Sequence, residues 1–414
     1  MEVTIERILP GGLGLAHADD RTILVALAAP GDRVRIRVDR VKGNVSFASI
    51  EEIISPSAQR VEPPCPYFGR CGGCDFQQMN YQAQLDAKTE MIRDCLRRLA
   101  GIENIPDFQV TAAPDSWHYR VRAQWQYDSV RQRLGYFESG SRNVCDVAEC
   151  AVLAPPLQST LESLRALMTA GSLPDARDLR AAVGNEGVSL SPAVRGIDSP
   201  GGDGSDSAFN GQVVRDITRT VQGESYRFNA ESFFQANDGL LPDLIEAALG
   251  DARGMTALEF YSGVGLFTLP LARRFSRVIG VESDQAAAKF ARDSLAGAGL
   301  SNAEVVLRDV GVWMDDVKRH DLSRLSAESA SALQGEIDFV LLDPPRVGAE
   351  SRVIAGVLGL KPQRISYVSC DPATLARDLK KLIAGGYQLA SISAFDMFPQ
   401  THHVETVIHL VCEF

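Results

Sequence analysis

The stretch that decides the fold is Ala257-Leu258-Glu259-Phe260-Tyr261-Ser262-Gly263-Val264-Gly265-Leu266-Phe267. It predicts an apolar strand, a tight glycine loop and the start of a helix. In a doubly wound parallel sheet, ligands bind at the carboxyl end of such a strand, where glycine lets the backbone approach them closely. A dinucleotide loop would carry a third glycine, and Thr268 occupies that position. We therefore predict a nucleoside-binding loop that includes Gly263 and Gly265.

Strand-like runs alternate with helical ones from about residue 240 to the C-terminus. The runs after the glycine loop are Val278–Val281, Glu304–Leu307, Asp338–Leu342, Ile365–Ser369, Ala390–Phe395 and Val404–Cys412. The alternation predicts a doubly wound α/β sheet, and the short connection between the last two runs requires an antiparallel hairpin. A parallel sheet with such a hairpin is typical of S-adenosylmethionine methyltransferases. We assign this Rossmann-like domain to residues 236–414.

Two carboxylates follow the next strands of this sheet. Glu282 ends the second strand, where a carboxylate can accept hydrogen bonds from both ribose hydroxyls of a nucleoside. Asp309 follows the third strand and is placed to reach the adenine amino group. Either residue alone could be an ordinary surface acid, but their order along the chain favours a cofactor site.

Two further side chains at strand ends are candidates for a catalytic role. Asp343 begins the rigid sequence Asp343-Pro344-Pro345-Arg346, and Arg346 offers no ring to stack on a target base, which argues against amino methylation of adenine or cytosine. Cys370 ends the next strand, and Asp371 and Pro372 predict the N-terminus of a helix that would favour the thiolate.

Glu405 begins the final strand among apolar neighbours, which would raise its pKa toward that of a useful base. The adjacent His402 and His403 lack a spaced third ligand for zinc, so we interpret them as loop residues. Addition of a thiolate to carbon 6 of uracil makes carbon 5 nucleophilic toward a methyl sulfonium, and a base must then remove the proton of carbon 5. Cys370, Glu405 and Asp343 fit this reaction.

The first part of the chain has a different character. Residues 1–57 contain short strands between glycine turns, with alternating Val34, Ile36 and Val38, which predicts a small OB-like β-barrel. Residues 58–235 form the remaining central domain. Within it, residues 189–210 are rich in glycine, proline and serine, which predicts a mobile surface loop.

A cysteine set opens the central domain. Cys65, Cys71 and Cys74 have the spacing C-x5-C-x2-C, with glycines that let the backbone wrap a ligand. Cys150 is the best candidate for a fourth ligand, and Cys145 competes on proximity. Four thiolates can hold an iron–sulfur cluster or tetrahedral zinc, whereas a disulfide is disfavoured in a cytoplasmic chain.

Charge and composition restrict the partners. The 414 residues carry a net charge of −11, but basic residues cluster in the first third of the chain. In one cluster, arginines alternate with Trp117, Tyr119, Trp125 and Tyr127, a mixture suited to phosphate contact and base stacking. The longest apolar runs are far too short to span a membrane, and the N-terminus lacks a secretory signal. We expect a cytoplasmic enzyme that binds structured RNA, without a membrane anchor or an evident protein partner.

Together, these motifs resemble the RNA uracil-5-methyltransferase family. The segments that carry the resemblance are Ser232-Phe233-Phe234-Gln235-Ala236-Asn237, Tyr261–Gly265, Asp343-Pro344-Pro345-Arg346, Ser369-Cys370-Asp371-Pro372 and His403-Val404-Glu405-Thr406. The N-terminal barrel is similar to the TRAM domain of several members. Glu259, Ser262 and Leu266 depart from the common residues of the family, which concerns the binding of the methionine end of the cofactor.

The resemblance implies a role for each matching residue. Cys370 would be the nucleophile and Glu405 the base. The cofactor would contact Gln235, Tyr261, Gly263, Gly265, Glu282, Asp309 and Asp343, and the uracil would contact Phe233, Gln235 and Asp343. It also implies a 4Fe–4S cluster on Cys65, Cys71, Cys74 and Cys150.

Three functional hypotheses follow. The first is methylation of a uridine in 23S rRNA, which the barrel and the cysteine set favour because tRNA enzymes of the same chemistry often lack both. The second is methylation of the T-loop of tRNA. The third is a non-catalytic RNA-binding protein with an iron–sulfur cluster, which leaves the combination of Cys370, Glu405 and Asp343 unexplained.

Overall fold

The computed structural model describes residues 1–194, 212–319 and 326–412. The N-terminal unit is an all-β sheet of six strands, with order β1-β5-β6-β4-β3-β2. Its strands are β1 (Glu2–Thr4), β2 (Arg7–Ile8), β3 (Gly14–Ala18), β4 (Arg21–Val25), β5 (Arg33–Lys42) and β6 (Val45–Ser55). Val34 and Ile36 are buried as the alternation predicts, whereas Val38 is exposed. Exposed Arg33 and Arg35 pair with Glu2, so part of this basic segment is already neutralised.

A helix and a short strand connect this unit to the rest of the molecule. Asn80 caps α1 (Tyr81–Cys95) by accepting a hydrogen bond from the Ala83 N–H, and a π-helical turn over Leu96–Ala100 ends the helix. The strand β7 (Val110–Thr111) follows. Both elements pack against the C-terminal sheet described below.

The central sheet has six strands in the order β10-β9-β8-β11-β12-β13. Its elements are β8 (Arg122–Asp128), β9 (Arg133–Phe137), β10 (Val144–Asp146), α2 (Pro155–Thr169), β11 (Asp178–Val183), β12 (Gly187–Ser191) and β13 (Gln212–Val214). Trp125 is fully buried in the core beneath α2, and Tyr119 is also buried. The prediction that these two rings stack on RNA bases is therefore wrong. Of the predicted loop 189–210, Ser189–Ser191 belong to β12, and residues 195–210 lie outside the described residues.

The C-terminal sheet has eight strands in the order β18-β17-β16-β19-β20-β22-β21-β7, after a hairpin formed by β14 (Asp216–Val221) and β15 (Glu224–Asn229). Its own strands are β16 (Gly254–Phe260), β17 (Phe275–Glu282), β18 (Ala303–Leu307), β19 (Phe339–Leu342), β20 (Arg364–Ser369), β21 (Tyr387–Phe395) and β22 (Glu405–Cys412). The helices are α3 (Leu241–Leu249), α4 (Thr268–Arg274), α5 (Gln285–Gly297), α6 (Val310–Lys318), α7 (Ala327–Ala332), α8 (Ser351–Leu360) and α9 (Pro372–Ala384).

The predicted doubly wound sheet and its final hairpin are confirmed. Strands β16 to β20 pair in parallel, and β22 inserts antiparallel between β20 and β21. Because β7 and α1 come from the central part of the sequence but join this sheet, the contacts of the C-terminal sheet extend beyond residue 236 toward the N-terminus. Among the described helices, none is long and apolar enough to cross a membrane.

Candidate active site

Four strand termini meet at one edge of the C-terminal sheet. In the sheet register, Phe260 pairs with Leu342, Leu342 with Tyr367, and Ser369 with Thr406. The residues just beyond these termini therefore share one edge: Tyr261, Asp343, Cys370 and Glu405. β22 runs antiparallel to its neighbour, so its first residue lies where the parallel strands end. The order of the strands in the sheet thus brings one thiol and two carboxyl groups close together.

The two acids of this cluster titrate as neighbours. Glu405 is only 3% exposed, and burial together with the negative charge of Asp343 raises its pKa well above the usual range, partly opposed by Arg346. Burial raises the pKa of half-buried Asp343 to about 7. Two adjacent carboxylates in a poorly solvated site do not ionise together easily, so the pair retains a proton near neutral pH. The raised pKa predicted for Glu405 is confirmed.

Cys370 differs from the sequence prediction in the sign of its shift. Asp371 does cap α9, where its carboxylate accepts a hydrogen bond from the Thr374 N–H at 2.7 Å, and Pro372 is the first helical residue. Burial nevertheless raises the pKa of Cys370 to about 12, and the charge of Glu405 adds to the shift. In the unliganded protein, desolvation and nearby carboxylates outweigh the helix terminus, so Cys370 is a thiol at neutral pH.

The glycine loop is fixed by the residue at the end of β17. Tyr261 has a φ of +65°, and its N–H donates to the Val281 carbonyl at 3.0 Å. Gly263, with φ +53°, donates its N–H to Glu282 Oε2 at 2.8 Å. A Cβ at Gly263 would meet no atom of residues 1–194, 212–319 or 326–412 within 4 Å, so these residues leave space beside the loop. Glu282, which the sequence predicts to hold the ribose, therefore shapes the loop.

Asp309 is engaged within the protein. Its carboxylate caps α6 by accepting from the Val312 N–H at 2.9 Å, and it contacts an Arg352 Nη at 3.2 Å. It remains at the edge of the sheet, but it is exposed, and contact with an adenine would have to coexist with the cap.

Glu259, one of the departures from the common residues of the family, is hydrogen-bonded below the loop. The hydroxyl of Thr268 donates to buried Glu259 at 2.5 Å. Burial raises the pKa of Glu259 to about 8, although this hydrogen bond opposes the shift.

Phe233 and Gln235 precede α3 in the segment that matched the family. Phe233 is 65% exposed and lines a cavity of about 640 Å³, whereas Gln235 is buried. Basic and histidine side chains share the cavity wall: Arg120, Arg122, Arg180, Arg346 and His403. The sequence interpretation missed Arg180 and treated His403 as a loop residue. The outward position of Arg180 on an alternating strand was the only available signal for it.

The four predicted ligand cysteines line one cavity in the central part of the molecule. Cys65, Cys71, Cys74 and Cys150 all contact it, with Arg120 beside them. The Cys145 thiol instead lies in the hydrophobic core of the central sheet and accepts a hydrogen bond from Arg70 Nε at 3.3 Å. Burial raises the pKa of Cys71 to about 11 and that of Cys74 to about 12.

The cavity does not have the geometry of a single-ion site. In the three described ranges of the chain, no three His, Cys, Asp or Glu side chains are grouped so that they could hold one metal ion. The grouping of these side chains therefore supports neither the predicted 4Fe–4S cluster nor its zinc alternative. Arg120 lines the same cavity, and its Nε is buried with no hydrogen-bond partner in the part of the chain that the structure describes.

Comparisons with known proteins agree with these features. A family model described as tRNA (Uracil-5-)-methyltransferase matches residues 209–412, and a model of the TRAM domain of tRNA (uracil(54)-C(5))-methyltransferase matches residues 1–58. Two relatives named 23S rRNA (uracil(1939)-C(5))-methyltransferase are 31% and 32% identical. They come from Pectobacterium atrosepticum and Alkalilimnicola ehrlichii, and the alignments cover 98% of this chain and 92% and 95% of theirs.

A solved structure extends the likeness to the whole chain. The Pyrococcus abyssi tRNA (uracil-54, C5)-methyltransferase, in complex with S-adenosyl-L-homocysteine, is 26% identical with a TM-score of 0.72. The match covers 99% of this chain and 100% of that one. A TRAM domain therefore does not by itself distinguish rRNA enzymes from tRNA enzymes. The extent of the matches, at more than 30% identity over nearly full length, shows that this chain belongs to the RNA uracil-5-methyltransferase family.

Proposed function

We propose that this enzyme methylates carbon 5 of a uridine in 23S rRNA, with S-adenosylmethionine as methyl donor, Cys370 as nucleophile and Glu405 as base. The observation that carries the proposal is the meeting of a thiol and two carboxyl groups at the sheet edge next to the glycine loop. A purely RNA-binding protein has no use for buried acids whose pKa values are raised beside a thiol.

The chemistry assigns each group a step. The thiol proton of Cys370 passes to Asp343, the acid of the pair with the lower pKa, while the sulfur bonds to carbon 6 of uracil. The electron pair of the carbon 5–carbon 6 double bond moves to carbon 5, which attacks the methyl carbon of the donor. The bond from that carbon to the sulfonium sulfur breaks, and neutral S-adenosylhomocysteine is the leaving group. With the cationic donor bound, its charge and that of Arg346 offset the burial of Glu405, and Glu405 releases its proton to solvent before the reaction. Its carboxylate then takes the remaining hydrogen of carbon 5 as a proton and the double bond re-forms. The sulfur leaves as a thiolate and recovers its proton from Asp343.

The donor site suits a nucleoside with a cationic sulfur. Gly263 leaves room for the ligand, whereas Gly265 allows the loop to pack closely against Leu269 and Ala291. By the family resemblance, Tyr261 and Gln235 would contact the donor, and Glu282 and Asp309 would present carboxylates to the nucleoside. When bound, S-adenosylmethionine supplies an electrophilic methyl group and a positive charge that favours the anionic forms of Cys370 and Glu405.

The RNA would enter through the 640 Å³ cavity lined by Phe233. Neither face of a stacked uracil is accessible to Cys370, so the target base must leave its stack. Exposed Phe233 provides an aromatic surface for a base, and the arginines of the cavity wall provide phosphate contacts. We favour 23S rRNA because the relatives that match at 31–32% identity over nearly their full length carry that name. The tRNA alternative rests on the Pyrococcus abyssi enzyme.

We further propose that the four cysteines lining this cavity hold a 4Fe–4S cluster, as the family resemblance implies. In such a cluster each thiolate binds a different iron, so the sulfurs surround a volume and need not converge on one point. The partnerless Nε of Arg120 would face the negative charge of the cluster. The role of the cluster would be structural, because it would hold the central domain (residues 58–235) in place against the RNA. That domain lies in sequence between the TRAM-like domain (1–57) and the methyltransferase domain (236–414).

Glu405→Gln tests the chemistry directly. The amide cannot accept the carbon 5 proton, so the methylated RNA should stay bonded to Cys370 and migrate with the protein on a denaturing gel. The double variant Cys370→Ala/Glu405→Gln is the matched control and should give no such band. Absence of the band in the single variant, with methyl donor and RNA both bound, would refute the assignment.

Nucleoside mapping of 23S rRNA and tRNA, with and without the enzyme, decides the substrate.

A further inference from the structure

The loop before Glu405 is held from outside its own domain. It connects β21 to β22 and comprises residues 396–404. The backbone N–H groups of Asp75 and Phe76 both donate to the Gln400 carbonyl, at 3.1 and 3.0 Å. The Asp75 carboxylate accepts from the His402 N–H at 2.8 Å and contacts His402 Nδ1 at 2.5 Å. Four polar contacts thus join two short segments that are separated by 327 positions in sequence.

The residue at the centre of these contacts adopts an unfavourable backbone conformation. Gln400 is buried and has a φ of +68°, in the left-handed region that non-glycine residues rarely occupy. Its side chain and backbone N–H form two hydrogen bonds of 3.0 Å with the amide of Gln84 on α1. Such a conformation persists only where surrounding contacts impose it.

Two further central-domain side chains complete the restraint. Lys88 is fully buried and contacts Asp396 at 2.5 Å and the Phe398 carbonyl at 3.2 Å. The hydroxyl of buried Tyr119 donates to the Pro399 carbonyl at 3.0 Å. The whole loop is therefore fixed by the segment after Cys74, by α1 and by Tyr119, and not by the methyltransferase sheet alone.

The N-terminal domain closes over the same point. Gly12 is buried with a φ of +80°, and a Cβ there would lie 3.0 Å from Asp75 Oδ2 and 3.1 Å from His402 Cβ. Three parts of the molecule meet at the Asp75–His402 contact. Asp75 directly follows Cys74 of the cysteine cavity. His402 is followed by His403, which lines the cavity that contains Phe233, and then by Val404 and Glu405.

We infer that Asp75 is a positioning residue for proton removal by Glu405, because it fixes the loop that leads into the first residue of β22. This inference rests on the proposed role of Glu405. Bond-forming groups must be placed within fractions of an ångström, so a loop released at His402 would slow the step that Glu405 performs. The addition of Cys370, which lies on a separate strand end, would be affected less.

The predicted signature is an intermediate that accumulates. Asp75→Ala should raise the steady-state fraction of denaturation-resistant protein–RNA adduct about tenfold over the wild type, together with a fall in kcat of similar size. A merely structural defect would lower kcat without adduct. Asp75→Asn, which keeps an oxygen acceptor for the His402 N–H, should restore most of kcat. Asp86→Ala is the matched control, since Asp86 is exposed on α1 and its carboxylate accepts a hydrogen bond from the neighbouring Gln82 amide.

A second variant covers the case in which Asp75→Ala does not fold. His402→Ala removes one of the four contacts and should give a smaller rise in adduct, about twofold to threefold. If Glu405→Gln traps adduct but neither Asp75→Ala nor His402→Ala does, the positioning role is wrong and the chemistry stands. If Glu405→Gln traps none, the proposed function itself fails.

Discussion

Cys370 and Cys74 are half-buried thiols in two different sites, and their surroundings differ in one respect. Burial raises the pKa of Cys370 and of Cys74 to about 12 in both places. Around Cys370 the further groups are the carboxyls of Glu405 and Asp343 with Arg346. Around Cys74 they are other thiols and the cation Arg120. Acids that exchange protons suit a sulfur that bonds and leaves, whereas several thiols beside a cation suit permanent ligation.

The largest expected effect comes from replacing one cysteine in each site, because the two replacements should have different consequences. Cys370→Ala should reduce methyl transfer by about 10⁴-fold or more, since the nucleophile is lost, while S-adenosylmethionine binding remains. Cys74→Ser should instead remove iron and its visible absorption from anaerobically purified protein. Methyl transfer to RNA, calorimetric cofactor binding and iron analysis provide the three measurements.

Matched controls exist for both cysteines. Cys412→Ser changes a half-buried cysteine at the far end of β22 and should retain activity. Cys145→Ser changes the thiol that contacts Arg70 outside the cavity and should retain iron. Iron loss in Cys145→Ser but not in Cys150→Ser would reverse the assignment of the fourth ligand.

The location of the active-site residues could be predicted from the sequence, whereas the direction of the Cys370 pKa shift could not. A parallel sheet places the carboxyl ends of its strands at one edge, which brings together Tyr261, Asp343 and Cys370. The short antiparallel hairpin predicted at the end of the chain brings the start of β22, and with it Glu405, to the same edge. The sign of the Cys370 shift did not follow. It depends on how deeply the thiol is buried and on acids from two other strands, whereas the sequence displayed only its own helix terminus.

Other features depended on distant contacts or on the direction of a side chain. The pairing of Asp75 with His402 joins the beginning and the end of the chain, and no local pattern signals it. Trp125 stood among arginines, but its position on β8 turns the ring into the core. Spacing predicted which cysteines line the cavity, while Cys150 and Cys145 differed only in the direction that their backbone gives each thiol.

A second prediction tests the sign of the Cys370 shift. With a pKa of about 12, against about 8.5 for free cysteine, the thiolate fraction at neutral pH is lower by about 10³-fold. Iodoacetamide should therefore alkylate Cys370 in the unliganded protein far more slowly than free cysteine at pH 7.5, with a rate that rises steeply toward pH 11. Mass spectrometry of the peptide that contains Cys370 measures this. Alkylation at the rate of free cysteine or faster would show that the helix terminus prevails over burial.

The smallest expected effect concerns Glu259, a buried acid beneath the active-site edge. Its folded pKa of about 8 lies above the ordinary value of 4.5, so the fold favours the protonated form. That contribution to stability is complete below about pH 4.5 and is lost as the pH rises through 8, at up to about 1.4 kcal/mol per pH unit. Glu259→Gln keeps an acceptor for the Thr268 hydroxyl and cannot ionise, so its melting temperature should fall less than that of the wild type between pH 5 and 8.

Asp343 and Glu405 also have raised pKa values and titrate in both proteins, so the slope should flatten without vanishing. Glu246→Gln, at an exposed position paired with Arg274, should keep the wild-type slope. Identical slopes for wild type and Glu259→Gln would mean that Glu259 is ionised in the folded protein, and that Thr268 and the nearby backbone solvate its charge despite the burial.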